Sequence, residues 1–256
     1  MFELLAWLAP AVGGAIYLLM PFVVRSSFRL AARCNPEVKP LECLPVEIAA
    51  EFERRIGEFS GLGFELTGIF DCGALASGTR SYVAYFCNHT SNEFANVTAM
   101  STCDGVASYF EFSSRFANGQ SIETNTNGIL PLLPANPAIR VFRLESIGEP
   151  RALLRIHRQL TEKYAPGLCA LGEPRDAEIQ RYARTIEGVG PRLAESGDMA
   201  IVAGGGAFML TWKGAVRTAW LGLWPVSLFR KIIHHHAMRL ELQSLQTTAE
   251  AALQKA

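Results

Sequence analysis

Histidines, cysteines and acids are the side chains here that could do chemistry. His234, His235 and His236 stand in a row. Consecutive side chains on a helix point about 100° apart, so the three cannot converge on one ion, and they extend a basic stretch instead. His157 lies on an otherwise apolar stripe with Leu153, Ile156, Leu160 and Tyr164. Such a histidine reads first as a hydrogen-bonded core residue; the rival is a ligand pocket at His157, worked with a nearby carboxylate. Six cysteines, at 34, 43, 72, 87, 103 and 169, form no C-x-x-C and pair with no histidine at finger spacing, so no metal site is expected. Asp71-Cys72-Gly73 and Asp104-Gly105 are turn chemistry. Gly204-Gly205-Gly206 lacks the Lys-Ser/Thr ending of a phosphate loop, and G-x-S-x-G is absent. Asn88-His89-Thr90 and Asn96-Val97-Thr98 match the glycosylation pattern, a short motif of low specificity. The expectation is no catalytic set and no cofactor.

The elements that would position these residues are legible in the middle of the chain. Pro36, Pro40 and Pro45 space a linker, and a helix begins at Pro45 with Ile48, Phe52, Ile56 and Phe59 on one side. Gly61 and Gly63 end it. Strands are then expected around 64–70, 81–87, 94–100, 108–116 and 120–125, with hairpin turns at 88–92 and at Asn118-Gly119. Phe110, Phe112 and Phe116 mark the core face of the fourth strand, opposite Glu111, Ser113 and Arg115. Ile139–Leu144 reads as one more strand. A helix is expected to start at Pro150. A second should start at Pro174, with Ile179, Tyr182, Ala183, Ile186 and Val189 inward and Gly188 and Gly190-Pro191 as its stop. The fold class is α+β: an antiparallel meander of about five or six strands packed by helices.

Composition adds a membrane. The chain has 256 residues, 24 bases against 24 acids, and a mean hydropathy of +0.15. Low charge and high apolarity exclude disorder, and the lack of net positive charge argues against a nucleic-acid partner. Leu4 to Val24 is 21 residues without a charge, and a bilayer core needs about 20 apolar helical residues. A transmembrane anchor is therefore expected over residues 1–25. Met1-Phe2-Glu3 carries no positive charge, against a cleaved signal peptide. Arg25, Arg29, Arg33 and Lys39 follow the segment, so the inside-positive bias places the N-terminus outside and the body in the cytoplasm, single-pass in the inner membrane. In that compartment the cysteines should be thiols. Residues 40–198 hold 14 bases and 20 acids, a net of −6, whereas residues 199–240 hold five bases and no acid. The basic flanks suit an anionic leaflet and the acidic body points away from it.

The remaining tryptophans beside Trp7 gather at the C-terminal end: Trp212, Trp220 and Trp224. On a helix, Trp212, Val216, Ala219 and Leu223 cluster, while Lys213 and Arg217 sit on the other side, with Arg230 and Lys231 following Pro225. Trp212, Lys213, Arg217, Trp220, Trp224, Arg230 and Lys231 are accordingly the candidate membrane-interface residues of an amphipathic helix. A core helix, a long tilted span over 199–229 and a partner-binding helix fit the same residues. A further helix is expected over 227–245. The run Thr211-Trp212-Lys213-Gly214-Ala215, then Trp220 and Trp224-Pro225, then a basic helix, resembles the C-terminal end of an uncharacterised group of bacterial membrane-associated proteins. The hairpin Phe116 to Asn125 is similar to theirs. That resemblance covers the middle and C-terminal parts, implies membrane attachment and carries no activity.

The expected organisation is an anchor (1–25), a linker (26–44), an α+β domain (45–198) and a membrane-interface segment with a basic helix (199–256). The expected function is a non-catalytic interaction or accessory module, bound to the bilayer and to an unknown membrane-protein partner. The alternative is a membrane-attached enzyme or small-ligand binder using the sheet face near His157.

Overall fold

The meander forms because five consecutive segments of alternating pattern are joined by short turns. A computed structural model describes residues 2–33, 36–76, 79–102, 105–172, 180 and 183–253. Strands β3 (Glu65–Ala76), β4 (Thr79–Asn88), β5 (Glu93–Thr102), β6 (Gly105–Arg115) and β7 (Ser121–Asn125) pair antiparallel in chain order. Asn88 closes one turn by accepting bonds from the Thr90 and Ser91 amides. At the other, only Gly119 takes positive φ, and Asn118 instead accepts from the Gln120 amide. β8 (Ile139–Arg143) departs from the expected meander: it pairs parallel with β7, because residues 126–138 carry the chain back before it re-enters. β2 (Glu37–Val38) pairs with β3.

A smaller antiparallel unit continues this mixed sheet. Strand β1 (Arg29–Ala31) pairs with β10 (Ala207–Leu210), and β10 with β9 (Met199–Ile201). One residue pair, Leu30 with Ala76, joins it to β3. The apolar start of the stretch 199–229, one alternative for which was a long tilted span, is this hairpin. Its turn holds Gly204 and Gly205 at positive φ, where other residues would be strained.

Two helices cover one face of the large sheet. α2 (Val46–Ser60) and α3 (Pro150–Tyr164) start at the prolines that predicted them. Phe59 of α2 is the centre of this core. It stacks on Phe86 and Phe112 with ring centroids 4.9 and 5.3 Å away and meets Phe64 and Phe110 edge-on. Ile48, Phe52, Leu153 and Leu154 complete the layer. On the opposite face Phe70, Val83, Tyr85, Cys87 and Phe94 are also buried, so the sheet is covered on both sides.

The second expected helix falls partly outside the described residues, as do its Pro174, Ile179 and Tyr182 and the cysteines at 34 and 103. Residues 183–187 are helical, and α4 (Val189–Glu195) continues through the expected stop. Pro191 is tolerated there because it lies in the first turn, where its missing N–H has no helical partner to lose. Of the described cysteines, 43 and 169 are exposed free thiols, and 72 and 87 are buried.

Residues 4–24 lie inside one helix, α1 (Phe2–Ser27), whose side chains are described from Val12 onward. Among the described residues no helix is long and apolar enough to cross a membrane. α1 runs directly into β1, and β10 runs directly into α5 (Trp212–Gly222). Because β1 and β10 are antiparallel, both helices leave the same end of their ladder and lie side by side in opposite directions. Phe22 meets Trp212 at 4.7 Å, Arg25 lies over the Trp212 ring at 4.6 Å, and Tyr17 meets Trp220 at 6.0 Å. Helix α6 (Val226–Leu253) then returns to the domain, where Met238, Leu242 and Leu245 reach the cores under α2 and α3.

Candidate functional site

The register of the large sheet lines up a polar row on the face away from α2 and α3. Asn96 of β5 lies opposite Glu111 of β6, Glu111 opposite Asn125 of β7, and Asn125 beside Arg143 of β8. The Asn96 and Asn125 carboxamides donate to the Glu111 carboxyl at 3.1 and 3.0 Å. The next row on this face is Phe94, Ser113, Glu123 and Val141, and Arg115 follows at the end of β6. Removal from water pushes the Glu111 carboxyl above its ordinary range despite the two donors. The same cause, reinforced by Glu111, pushes Glu123 up to about 8. Glu123 is therefore protonated at neutral pH.

Over the β7–β8 end of this face lies a cleft of about 710 Å³. Its floor is Arg115, Glu123, Val141 and Arg143 with Ile139. One wall is the helical stretch 184–193 and the other is the loop 131–138. Arg192 ties the walls together by donating to the Pro134 carbonyl at 2.8 Å. Four arginines, 115, 143, 184 and 192, thus line one apolar-walled cleft with one neutral acid. Buried nitrogens of two of them, Arg115 Nη1 and Arg143 Nε, have no hydrogen-bond partner. An unpaired buried donor costs about 1–3 kcal/mol, and both nitrogens are shielded from water by their neighbours.

His157 lies on the other face. It is fully buried, with Ser114 Oγ 2.9 Å from Nε2 and Thr124 Oγ1 3.0 Å from Nδ1. A neutral imidazole offers one N–H and one lone pair, and the two hydroxyls can satisfy both. Burial holds its pKa down to about 4. The cleft and His157 are separated by the thickness of the sheet, and His157 lines none of the clefts described here. Glu93 is held by Arg158 at 2.6 Å, which is a structural tie between α3 and β5.

The candidate membrane-interface residues fall into two sets. Trp212, Trp220 and Trp224 are 46%, 53% and 71% exposed, which is unusual for indoles and leaves them available to another phase. The buried face of α5 is made by Gly214, Ala215, Thr218 and Ala219, so that of the apolar cluster expected to face the membrane Trp212 and Val216 are exposed and Ala219 is buried. Small residues win that side because α5 packs closely: a Cβ at Gly214 would collide with the Asp198 carbonyl. Of the bases, Lys213 donates to the Ser196 carbonyl, Arg217 lies 3.5 Å from Asp198, and Arg230 donates to the carbonyls of Leu221 and Pro131. Lys231 is exposed. His234 bonds the Arg143 carbonyl at 3.2 Å, while His235 and His236 are exposed. Among the described residues no group of three His, Cys, Asp or Glu side chains could hold a metal ion.

The cleft was missed in the sequence because Glu111, Arg115 and Glu123 alternate with apolar residues and so imitate a solvated face. One signal was available: Tyr82 to Cys87 is apolar without alternation, which is the pattern of a strand buried on both sides. Comparison of the chain with protein-family models, with curated proteins and with solved structures gave no match.

Proposed function

We propose that this protein is a membrane-attached, non-catalytic accessory module. In this reading α1 anchors it in an inner membrane with the N-terminus outside. The sheet domain lies in the cytoplasm and serves a larger membrane assembly. The observation that carries the reading is a set of exposed apolar side chains on three helices, of which α1 and α5 lie side by side. It comprises Ile16, Leu19, Phe22 and Val23 of α1, Trp212, Val216 and Trp220 of α5, and Phe229, Ile232 and Ile233 of α6. Exposed apolar patches of this kind are costly in water and mark lipid or protein contacts. Tryptophans within the set suit the bilayer interface, where the ring is buried and the N–H stays hydrated. The uncharged stretch 4–24, about 31 Å long as a helix, and the bases that follow it support the anchor and its direction. The resemblance to bacterial membrane-associated proteins agrees. The non-catalytic part is supported by His157, whose two nitrogens are already occupied by hydroxyls in the core.

The test is tryptophan quenching in vesicles of brominated lipid. Single-tryptophan forms of the full chain, with the other indoles changed to Phe, are reconstituted and their emission compared with that in unbrominated lipid. Quenching of Trp220 and Trp224 by bromines near the headgroups is expected. Emission from both that ignores bromine position would overturn the membrane reading.

A further inference from the structure

We infer that the cleft between β7, β8 and the helical stretch 184–193 is a binding site for a single-chain amphipathic anion, an acyl chain ending in a carboxylate or a phosphate. The cleft has the two parts such a ligand needs. Leu133, Pro134, Ile139, Val141, Val189 and Leu193 give it an apolar lining, and about 710 Å³ is within the range of small-molecule sites. Arg115, Arg143, Arg184 and Arg192 line the same space, with Arg192 Nη1 bonded to the Pro134 carbonyl and Arg184 Nε to that of Gln180. Guanidinium groups grip carboxylate and phosphate by paired N–H bonds. Glu123 does not cancel their charge, since it holds its proton at neutral pH and can itself donate to an anionic oxygen.

The wall of the cleft also touches the membrane-facing elements. Leu133 and Leu193 share a hydrophobic cluster with Val24 and Phe28 at the end of α1. Arg230 at the start of α6 holds the Pro131 carbonyl at 2.6 Å. A ligand drawn from lipid would enter beside its own source. That origin rests on the membrane reading above; the chemistry of the site does not.

The experiment is a fluorescence titration of the purified full chain in nonionic detergent with cis-parinaric acid, a fluorescent fatty acid. Saturable binding at one per chain is expected, with the methyl ester of the probe at least tenfold weaker. Arg143→Gln should lose at least tenfold in affinity. Arg184→Gln, on an exposed helical position that cannot be critical to folding, should lose a measurable fraction, at least threefold. Displacement by lysophosphatidate would assign the head to phosphate, and failure to displace would assign it to carboxylate. Binding no greater than to empty micelles, or equal binding by the parent and by both variants, would overturn the site. Because the titration needs no bilayer, parinarate binding with unquenched tryptophans would discard the membrane source alone. Quenched tryptophans without parinarate binding would discard the ligand alone.

Discussion

Replacing His157 with Gln leaves Ser114 and Thr124 with one poorly aimed partner in the core, at a cost of about 1–3 kcal/mol. His157→Ala adds a cavity and should cost about 2–4 kcal/mol, read as the midpoint of denaturant unfolding. Two buried residues also set how stability follows pH. His157 titrates near 4 when folded and near 6.5 when unfolded, so its contribution is complete above 6.5 and is lost as pH falls toward 4. Glu123 is the opposite case. Its carboxyl titrates near 4.5 unfolded and about 8 folded, so its contribution is complete below 4.5 and is lost as pH rises toward 8. Between pH 4.5 and 6.5 the two effects oppose, and above 6.5 Glu123 acts together with Glu111, whose carboxyl burial also raises. Glu123→Gln should therefore raise Tm more at pH 8 than at pH 5. A Tm difference that is the same at both values would show that Glu123 is not held protonated. His157 was legible because its neighbours at helical spacing are apolar. Glu123 was not, since its burial depends on a helix more than 60 positions away in the chain.

At the scale of elements, local signals carried most of the fold. Pro45 and Pro150 open helices wherever a fixed φ and a missing N–H are harmless, and that rule needs no tertiary knowledge. Alternation between 64 and 125 was enough to place five strands, because each pairs with its neighbour in sequence. What failed was long-range. The parallel pairing of β8 depends on where a 13-residue loop sends the chain. The β1–β10–β9 unit joins residues 29–31 to 199–210, and three-residue strands carry too little periodicity to be recognised. The inward face of α5 was not read in the sequence for a related reason: helical projection ranks residues by apolarity, whereas close packing selects small ones. Two variants test these contacts. Phe59→Ala removes the ring that four other phenylalanines meet and should cost about 3–5 kcal/mol. Gly214→Ala should push α5 off the Asp198 carbonyl and cost about 1–3 kcal/mol, with Trp212 emission shifted by the displacement. Ala207→Ser, on the same small sheet but with no such contact, should leave both readings near the parent.

For the molecule as a whole, charge and topology give two measurements. Cys43 and Cys169 are exposed in the domain. With the other cysteines changed to Ser, an impermeant maleimide should label neither in intact cells and both after permeabilisation; labelling in intact cells would invert the proposed orientation. Lys231 and Arg239 are exposed bases on α6. Each base near an anionic surface contributes about 1 kcal/mol, so changing both to Gln should weaken binding to anionic vesicles by about thirtyfold and leave binding to neutral ones unaltered. The ladder between β1 and β10 has a meaning of its own in this setting. It consists of three residue pairs, Arg29 with Met209, Leu30 with Phe208 and Ala31 with Ala207, and each strand is fused to one of the two side-by-side helices. A slip of one residue would turn Leu30 and Phe208 from one face to the other, so the smallest slip that keeps the faces is two residues, about 7 Å. That exceeds one turn of helix, about 5.4 Å, and would carry Phe22 past Trp212 and Tyr17 past Trp220. The ladder therefore works as a depth gauge: three facing residue pairs fix how far α1 protrudes beyond the tryptophans and so, on the proposed membrane reading, at what height above a lipid surface the body would ride.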